Sequence, residues 1–137
     1  MFVNIDQGPP SVGVDNGKHC SDGVNWVCEH RWVQVANMVK FRNAAGTLPV
    51  MNWQSGNANQ IAFSRGDQAF LAMNRGSSEW PATLKTGLAP GSYCNVLLHI
   101  DNDKPETCSY YTVDASGSVS VKVPPLGAVA LHTLAKK

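Results

Sequence analysis

Charge is scarce in this chain. Lysine, arginine, aspartate and glutamate make up 15% of its 137 residues and nearly cancel, leaving a formal net charge of +1. A surface so close to neutral lacks the basic field that draws nucleic acid or an anionic membrane, so neither is expected as a partner. No apolar run approaches the ~20 residues of a membrane-spanning helix. The Met1-Phe2-Val3-Asn4 start shows no basic region followed by a long apolar stretch, so no signal peptide is visible. Catalytic signatures are missing too. There is no Gly-x-Ser-x-Gly elbow and no phosphate-binding loop, no Cys-x-x-Cys pair and no internal repeat. The four histidines, His19, His30, His99 and His132, have no neighbouring Ser or Cys arranged for nucleophilic work. The length excludes a complete (β/α)₈ barrel, which needs ~250 residues. It suffices for one domain with a real core, or for one domain plus a partner element.

What is present is a folded, turn-rich chain. Hydrophobic residues are 43% of it, while Gly, Pro, Ser and Asn together approach a third, a balance that excludes disorder. Residues 1–25 carry Gly8-Pro9-Pro10, Asp15-Asn16-Gly17 and Ser21-Asp22-Gly23, turn signals with no sustained period. Residues 28–45 are the one strong helical segment. Trp32, Val35, Ala36, Val39 and Ala44 follow the 3.6 period, and Met38 and Phe41 widen the apolar face. Glu29 in the first turn and Arg42 in the last suit the helix dipole, and Gly46 and Pro49 end the segment. That face is wider than one contact needs, so the helix must lie on the rest of the chain or on another one.

After Pro49 the period becomes two. Strands are expected over 50–53, 60–64, 69–74, 82–85, 92–98, 110–113, 119–123 and 128–133, separated by Gly-, Asn- and Pro-containing turns. The run Ser118-Val119-Ser120-Val121-Lys122-Val123 alternates cleanly, with one face buried and one solvated. Many short strands at this spacing predict a mainly β protein, an antiparallel sandwich.

The residues that could carry chemistry read mostly as structure. Sugar-bond hydrolysis needs two carboxylates roughly 5–9.5 Å apart, yet nearly all ten acidic residues stand in turn contexts or at the helix start. Asp101-Asn102-Asp103 lacks the spacing of a calcium loop and reads as a turn. A miniature hydrolase would have to pair Glu79 with Asp101 or Asp103. Aromatic rings can stack on sugars, and Trp53, Trp80, Tyr110 and Tyr111 are the aromatic candidates. Trp80, in a Ser-Ser-Glu-Trp-Pro loop context, is expected to be the most exposed. Trp53, in a strand, reads as core. Trp80, Tyr110 and Tyr111 would form the platform of a stand-alone glycan-binding module. Cys20, Cys28, Cys94 and Cys108 allow three pairings. Two local disulfides and four buried thiols both remain open, while Cys28 and His30 point apart on a helix and make a metal site a poor fit.

The stretch Trp26-Val27-Cys28-Glu29-His30-Arg31-Trp32, followed by Asn37-Met38-Val39-Lys40-Phe41-Arg42-Asn43, resembles the carboxyl-terminal part of animal-type α-amylases of glycoside hydrolase family 13 and their bacterial relatives. The similarity continues through Asn52-Trp53, Asn59-Gln60-Ile61-Ala62-Phe63-Ser64-Arg65-Gly66, the run from Thr86 to Val96, and Ala130-Leu131-His132, with Gly8-Pro9-Pro10 like the loop ahead of the helix. The resemblance implies that residues 1–48 are the remnant of a catalytic barrel, namely the loop after its eighth strand and its eighth helix. Residues 49–137 would be a C-terminal Greek-key β-sandwich. It implies the disulfides Cys20–Cys28 and Cys94–Cys108, secretion, and the missing barrel as partner, with α-glucan a further possible one. Self-association through the uncovered helix face is expected if the chain stands alone. The family's catalytic carboxylates, calcium ligands and chloride site match no position here. So no catalytic residue, metal or cofactor is expected in this chain, whose role would be to stabilise the barrel of a starch hydrolase.

Overall fold

The computed structural model describes residues 32–98 and 107–137, together with the backbone of two short strands, β1 (Val14–Asp15) and β2 (His19–Cys20), which pair antiparallel. One helix, α1 (Val33–Ala45), precedes eight further strands: β3 (Val50–Ser55), β4 (Gln60–Arg65), β5 (Ala69–Asn74), β6 (Trp80–Lys85), β7 (Gly91–Cys94), β8 (Tyr110–Val113), β9 (Ser118–Val123) and β10 (Gly127–His132). They form two four-stranded antiparallel sheets, ordered β10-β5-β4-β3 and β6-β9-β8-β7. The chain passes to the second sheet after β5 and returns through β10 to lie beside β5, as in a Greek-key sandwich.

All eight expected strands are present; six of them differ at one or both ends from the expected limits, and for two of these the reason is local. β7 ends at Cys94 instead of running to 98. The next residue, Asn95, is fully buried and turns the chain: its side-chain oxygen accepts from the backbone N–H of Leu97 (3.3 Å) and of Ala130 (3.1 Å), an Asx-type turn. β6 begins at Trp80, not 82, because Trp80 pairs with Val123 and Pro81 with Lys122. Proline is tolerated there because β6 is an edge strand and needs no further N–H.

The inner faces meet in one core. Ala62, Phe70, Ala72, Val129 and Leu131 of the first sheet pack with Trp80, Leu84, Val113, Val119, Val121 and Val123 of the second. Tyr93 is fully buried, and its hydroxyl donates to the carbonyl of Ala89, four residues upstream, at 2.7 Å, a tyrosine-corner arrangement that satisfies the polar end of a buried ring. At the β4–β5 turn Gly66 takes φ 52°, and a Cβ there would meet the Leu48 side chain at 2.9 Å. The turn therefore requires glycine.

α1 lies on the outside of the first sheet. Phe41 and Ala45 pack with Ala69 of β5, Ala130 of β10, Cys94 and Val96, and the Cys94–Cys108 disulfide (Cα–Cα 5.7 Å) borders this second cluster. The buried amide of Asn37 donates to the Val96 carbonyl at 2.8 Å. The disulfide is the pairing the resemblance implies. Cys28 lies outside the described residues, as do helix positions 28–31 and Glu29.

His132 sits beneath α1, 2% exposed, edge-on to Phe41 with ring centroids 6.2 Å apart. Neither ring nitrogen has a hydrogen-bond partner among the described residues. Burial, then the positive charge of Lys40, pushes its pKa below the usual histidine value. The folded state thus resists protonation while the unfolded state takes up a proton near pH 6.5. Stability from this group is complete above that pH and is lost as the pH falls through it. Urea midpoints should fall between pH 7.5 and 5.5, and His132→Leu should flatten that part of the profile. An unchanged slope in His132→Leu would assign the acid sensitivity to other groups.

Candidate functional site

Successive residues of an α-helix advance by about 100°, which places two apolar stripes on opposite sides of α1. Asn37, Phe41 and Ala45, with Met38 beside them, face the sandwich. Trp32, Val35 and Val39 lie roughly half a turn away and are exposed, Val39 at 55%. The stripe read from sequence as the principal packing face is therefore the one left open. Periodicity shows that a helix is apolar on more than one side, but not which side the sheet takes.

Residues 46–49 join α1 to β3, the edge strand of the first sheet. Arg65 Nε donates to the Leu48 carbonyl at 2.8 Å, Arg42 donates to the Gly46 carbonyl, and Gly66 N–H donates to the Pro49 carbonyl at 3.0 Å. These bonds fix where β3 starts. The register then shifts between Met51 and Gln54, and Asn52 adopts φ 51°, the mark of a β-bulge that re-aims a side chain. The re-aimed residue is Trp53. It stacks on Phe63 of β4, centroids 5.7 Å apart and planes 9° from parallel, and is 60% exposed. The sequence expectation of a core Trp53 is thus corrected: the bulge breaks the alternation that would have turned it inward. Val50 and Met51 are exposed on the same strand. Gln54 closes the far end of β3 against the second sheet, exchanging two hydrogen bonds with the backbone of Lys85 at 2.9 Å each.

A second feature opens on the other sheet. β8 and β9 pair only at Val113 and Val119. Beyond that pair lies an open cleft of about 600 Å³ lined by Pro81, Ala82, Thr83, Tyr111, Ser120, Val121 and Lys122. Thr83 and Ser120 are cross-strand partners with hydroxyl oxygens 3.2 Å apart. Tyr111 is half-buried, and burial, then the negative charge of Glu79, raises its phenol pKa.

The three aromatics expected to form one sugar platform share no exposed surface: Trp80 and Tyr111 meet at the core cluster and Tyr110 packs in the other one. Trp80 is 7% exposed within the core, because the Ser-Ser-Glu-Trp-Pro stretch read as a loop enters strand β6 at its tryptophan. Tyr110 and Tyr111 are adjacent on β8 and take opposite sides. Tyr110 joins the cluster under α1, with Lys137 Nζ 5.5 Å from its ring centre, and only Tyr111 reaches the cleft. Ser120 and Lys122 lie on the solvated face of the β9 alternation, which sequence shows, while their neighbour Thr83 on β6 is set by strand pairing, which it does not.

The described carboxylates hold separate turns. Asp67 accepts from Gln68 Nε2 at 2.7 Å, and Glu79 is exposed just before β6. Asp114 accepts from the Ser116 hydroxyl (2.7 Å) and the Ser118 N–H (3.0 Å), bonds that lower its pKa. Asp101 and Asp103, proposed partners of Glu79, lie outside the described residues. Among the described residues no three His, Cys, Asp or Glu side chains gather as a metal site would require.

Residues 51–133 match the family model for the α-amylase C-terminal all-β domain. An α-amylase of Tenebrio molitor is 40% identical over 146 aligned positions, spanning 98% of this chain but 30% of the relative. A pancreatic α-amylase of Rattus norvegicus is 48% identical over 102 positions, spanning 69% of this chain and 20% of the relative. The crystal structure of α-amylase I from Eisenia fetida is similar with a TM-score of 0.76 and 34% identity, over 93% of this chain and 27% of that one. The chain thus spans less than a third of the length of the relatives it matches.

Proposed function

Because the chain belongs to the family of α-amylase C-terminal all-β domains, we propose that it is the non-catalytic carboxyl-terminal part of a starch-hydrolysing α-amylase, an enzyme that cuts α-1,4-glucan internally. In this reading residues up to 48 belong to the catalytic barrel and α1 is its last helix. The sandwich holds that helix in place and covers the barrel's flank. The two opposite apolar stripes of α1 carry the argument. A helix apolar on both sides belongs between two packed layers, and the sandwich supplies only one. The exposed Val50, Met51 and Trp53 on an edge strand support the same partner, since an uncovered apolar edge invites aggregation. The Cys94–Cys108 disulfide supports a secreted enzyme. Without the barrel, the same surface would drive self-association.

The test is complementation. The chain should bind the amino-terminal part of a relative such as the Tenebrio molitor enzyme, truncated where the match begins. Val39→Asp should weaken binding roughly 30-fold, about 2 kcal/mol, by burying a charge, while leaving the chain folded. No association, or binding indifferent to Val39→Asp, would remove the barrel reading. Release of reducing ends from starch by the homogeneous chain alone would overturn its non-catalytic character.

A further inference from the structure

We propose that α1 is held on the sandwich by a proton-operated latch at His132, and that uptake of one proton there lifts the helix off while the two sheets stay folded. The geometry supplies three parts. The first is an element that depends on its packing. α1 has 13 residues and no side-chain hydrogen bond at its N-cap Trp32, and a helix that short is marginal in water by itself. It is held by Phe41 and Ala45 against Ala69, Ala130 and Val96, and by the Asn37 bond to the Val96 carbonyl. The second is a titratable group inside that contact. His132 pairs with Ala69 at the end of β10 and meets Phe41 edge-on, buried between the helix and the sheet. The third is a hinge. Gly46 turns with φ 52° directly after the helix, while the carbonyls of Leu48 and Pro49 are bonded to Arg65 and Gly66. A movement of α1 is therefore absorbed at Gly46 and Thr47 and stops before β3.

Among the described residues, no group around His132 balances a charge on it. α1 brings two cations, Lys40 and Arg42, and Arg42 donates to the Gly46 carbonyl. β5, the rest of β10, residues 95–98 and the turn Thr133–Ala135 carry no charged side chain. Beyond that turn, Lys136 and Lys137 are again cations, set over the rings of Tyr93 and Tyr110. Asp67, ahead of β5, is engaged by Gln68 Nε2. An imidazolium in this contact is thus a buried charge with a like-charged neighbour, the arrangement that costs most. Its escape route is fixed by strand geometry. Val129 and Leu131 point into the core between the sheets, and His132 takes the other face of β10. Water reaches the ring when α1 parts from β10, with no need for the sheets to separate. Under the proposed function α1 is shared with the barrel, so acid would uncouple the two. That consequence rests on the proposed function, whereas the latch is read on the chain alone, so failure of either is visible apart from the other.

The experiment is amide hydrogen exchange of the ¹⁵N-labelled full chain at pH 7.5 and 5.5, corrected for the intrinsic exchange rate at each pH. Two results are expected. At both pH values the α1 amides from Phe41 to Ala45 should be protected, but less than those of β5 and β9, because the helix opens in a step of its own. Between the two pH values their protection should fall about tenfold, since an imidazole that titrates near pH 6.5 once exposed favours the open form by that factor. His132→Leu fills the contact with a side chain that takes no proton, and should make α1 protection equal at the two pH values. His132→Gln keeps a polar, neutral group there and should do the same, which covers the case where leucine does not fit. Protection of α1 equal to that of β5 and β9 would overturn the latch by showing that helix and sheets open as one unit. So would α1 amides without protection at pH 7.5, α1 protection indifferent to pH in the parent chain, or a tenfold fall that persists in a folded His132 variant.

Discussion

Phe70→Ala should cost this chain roughly 3–5 kcal/mol of unfolding free energy, the range for removing a buried phenylalanine. Phe70 is fully buried on the inner face of β5, a central strand, and is among the largest side chains in the cluster that joins the two sheets. Its removal forfeits the transfer energy of the ring and leaves a cavity. The surrounding Ala62, Ala72 and Val129 are too short to fill it. Domains of this kind retain only about 5–15 kcal/mol in total, so the variant should unfold at a much lower urea concentration. Phe70→Leu keeps most of the apolar volume and should cost far less. A loss under about 1 kcal/mol for Phe70→Ala, the size of an ordinary substitution, would mean that the two sheets do not depend on this ring. The exposed apolar surface of α1 and β3 is carried by the first sheet, so under the proposed function Phe70→Ala should also weaken complementation, through loss of folded chain and not of a contact.

Removing the Cys94–Cys108 disulfide as the Cys94→Ala, Cys108→Ala pair should cost about 3 kcal/mol, the chain-entropy value for a loop of this length, and lower the melting temperature by roughly 10 °C. The bridged residues are 14 apart in sequence and join the end of β7 to the approach to β8. Without the bond the unfolded chain regains the freedom of that loop. The folded chain loses a staple at the cluster where α1 meets the sheet. Alanine is preferred over serine because Cys94 is buried and a hydroxyl there would need a partner. Calorimetry of the double variant decides the matter. An unchanged melting temperature would show that Asn95 and the β7–β8 pairing hold this corner unaided. A fall should be accompanied by looser packing of α1, read as faster hydrogen exchange in the helix.

α1 and β3 together expose apolar area, through Val35, Val39, Val50, Met51 and Trp53, while Asp67 and Asp114 are engaged by hydrogen bonds within their own turns.

Much of this molecule was legible in residue order alone, because local periodicity and turn chemistry act within a few residues. Helix α1, the change to period two after Pro49, all eight sandwich strands and the polar outer face of β9 follow from side-chain alternation and from Gly, Asn and Pro placement. The family likeness rests on long runs of residues and covers nearly the whole chain. Tertiary structure decided whatever depends on partners distant in sequence. It chose which stripe of α1 the sheet takes, leaving Trp32, Val35 and Val39 open. It turned Trp53 outward through a bulge that no alternation rule contains, and drew Trp80 inward by pairing it with Val123, 43 positions away in the ladder from Trp80 to Val123. It also set Thr83 beside Ser120 and parted β8 from β9. Side-chain direction along a strand is a local property, whereas register, bulges and the face a helix turns to its neighbour are fixed only when separate segments compete to bury the same apolar surface.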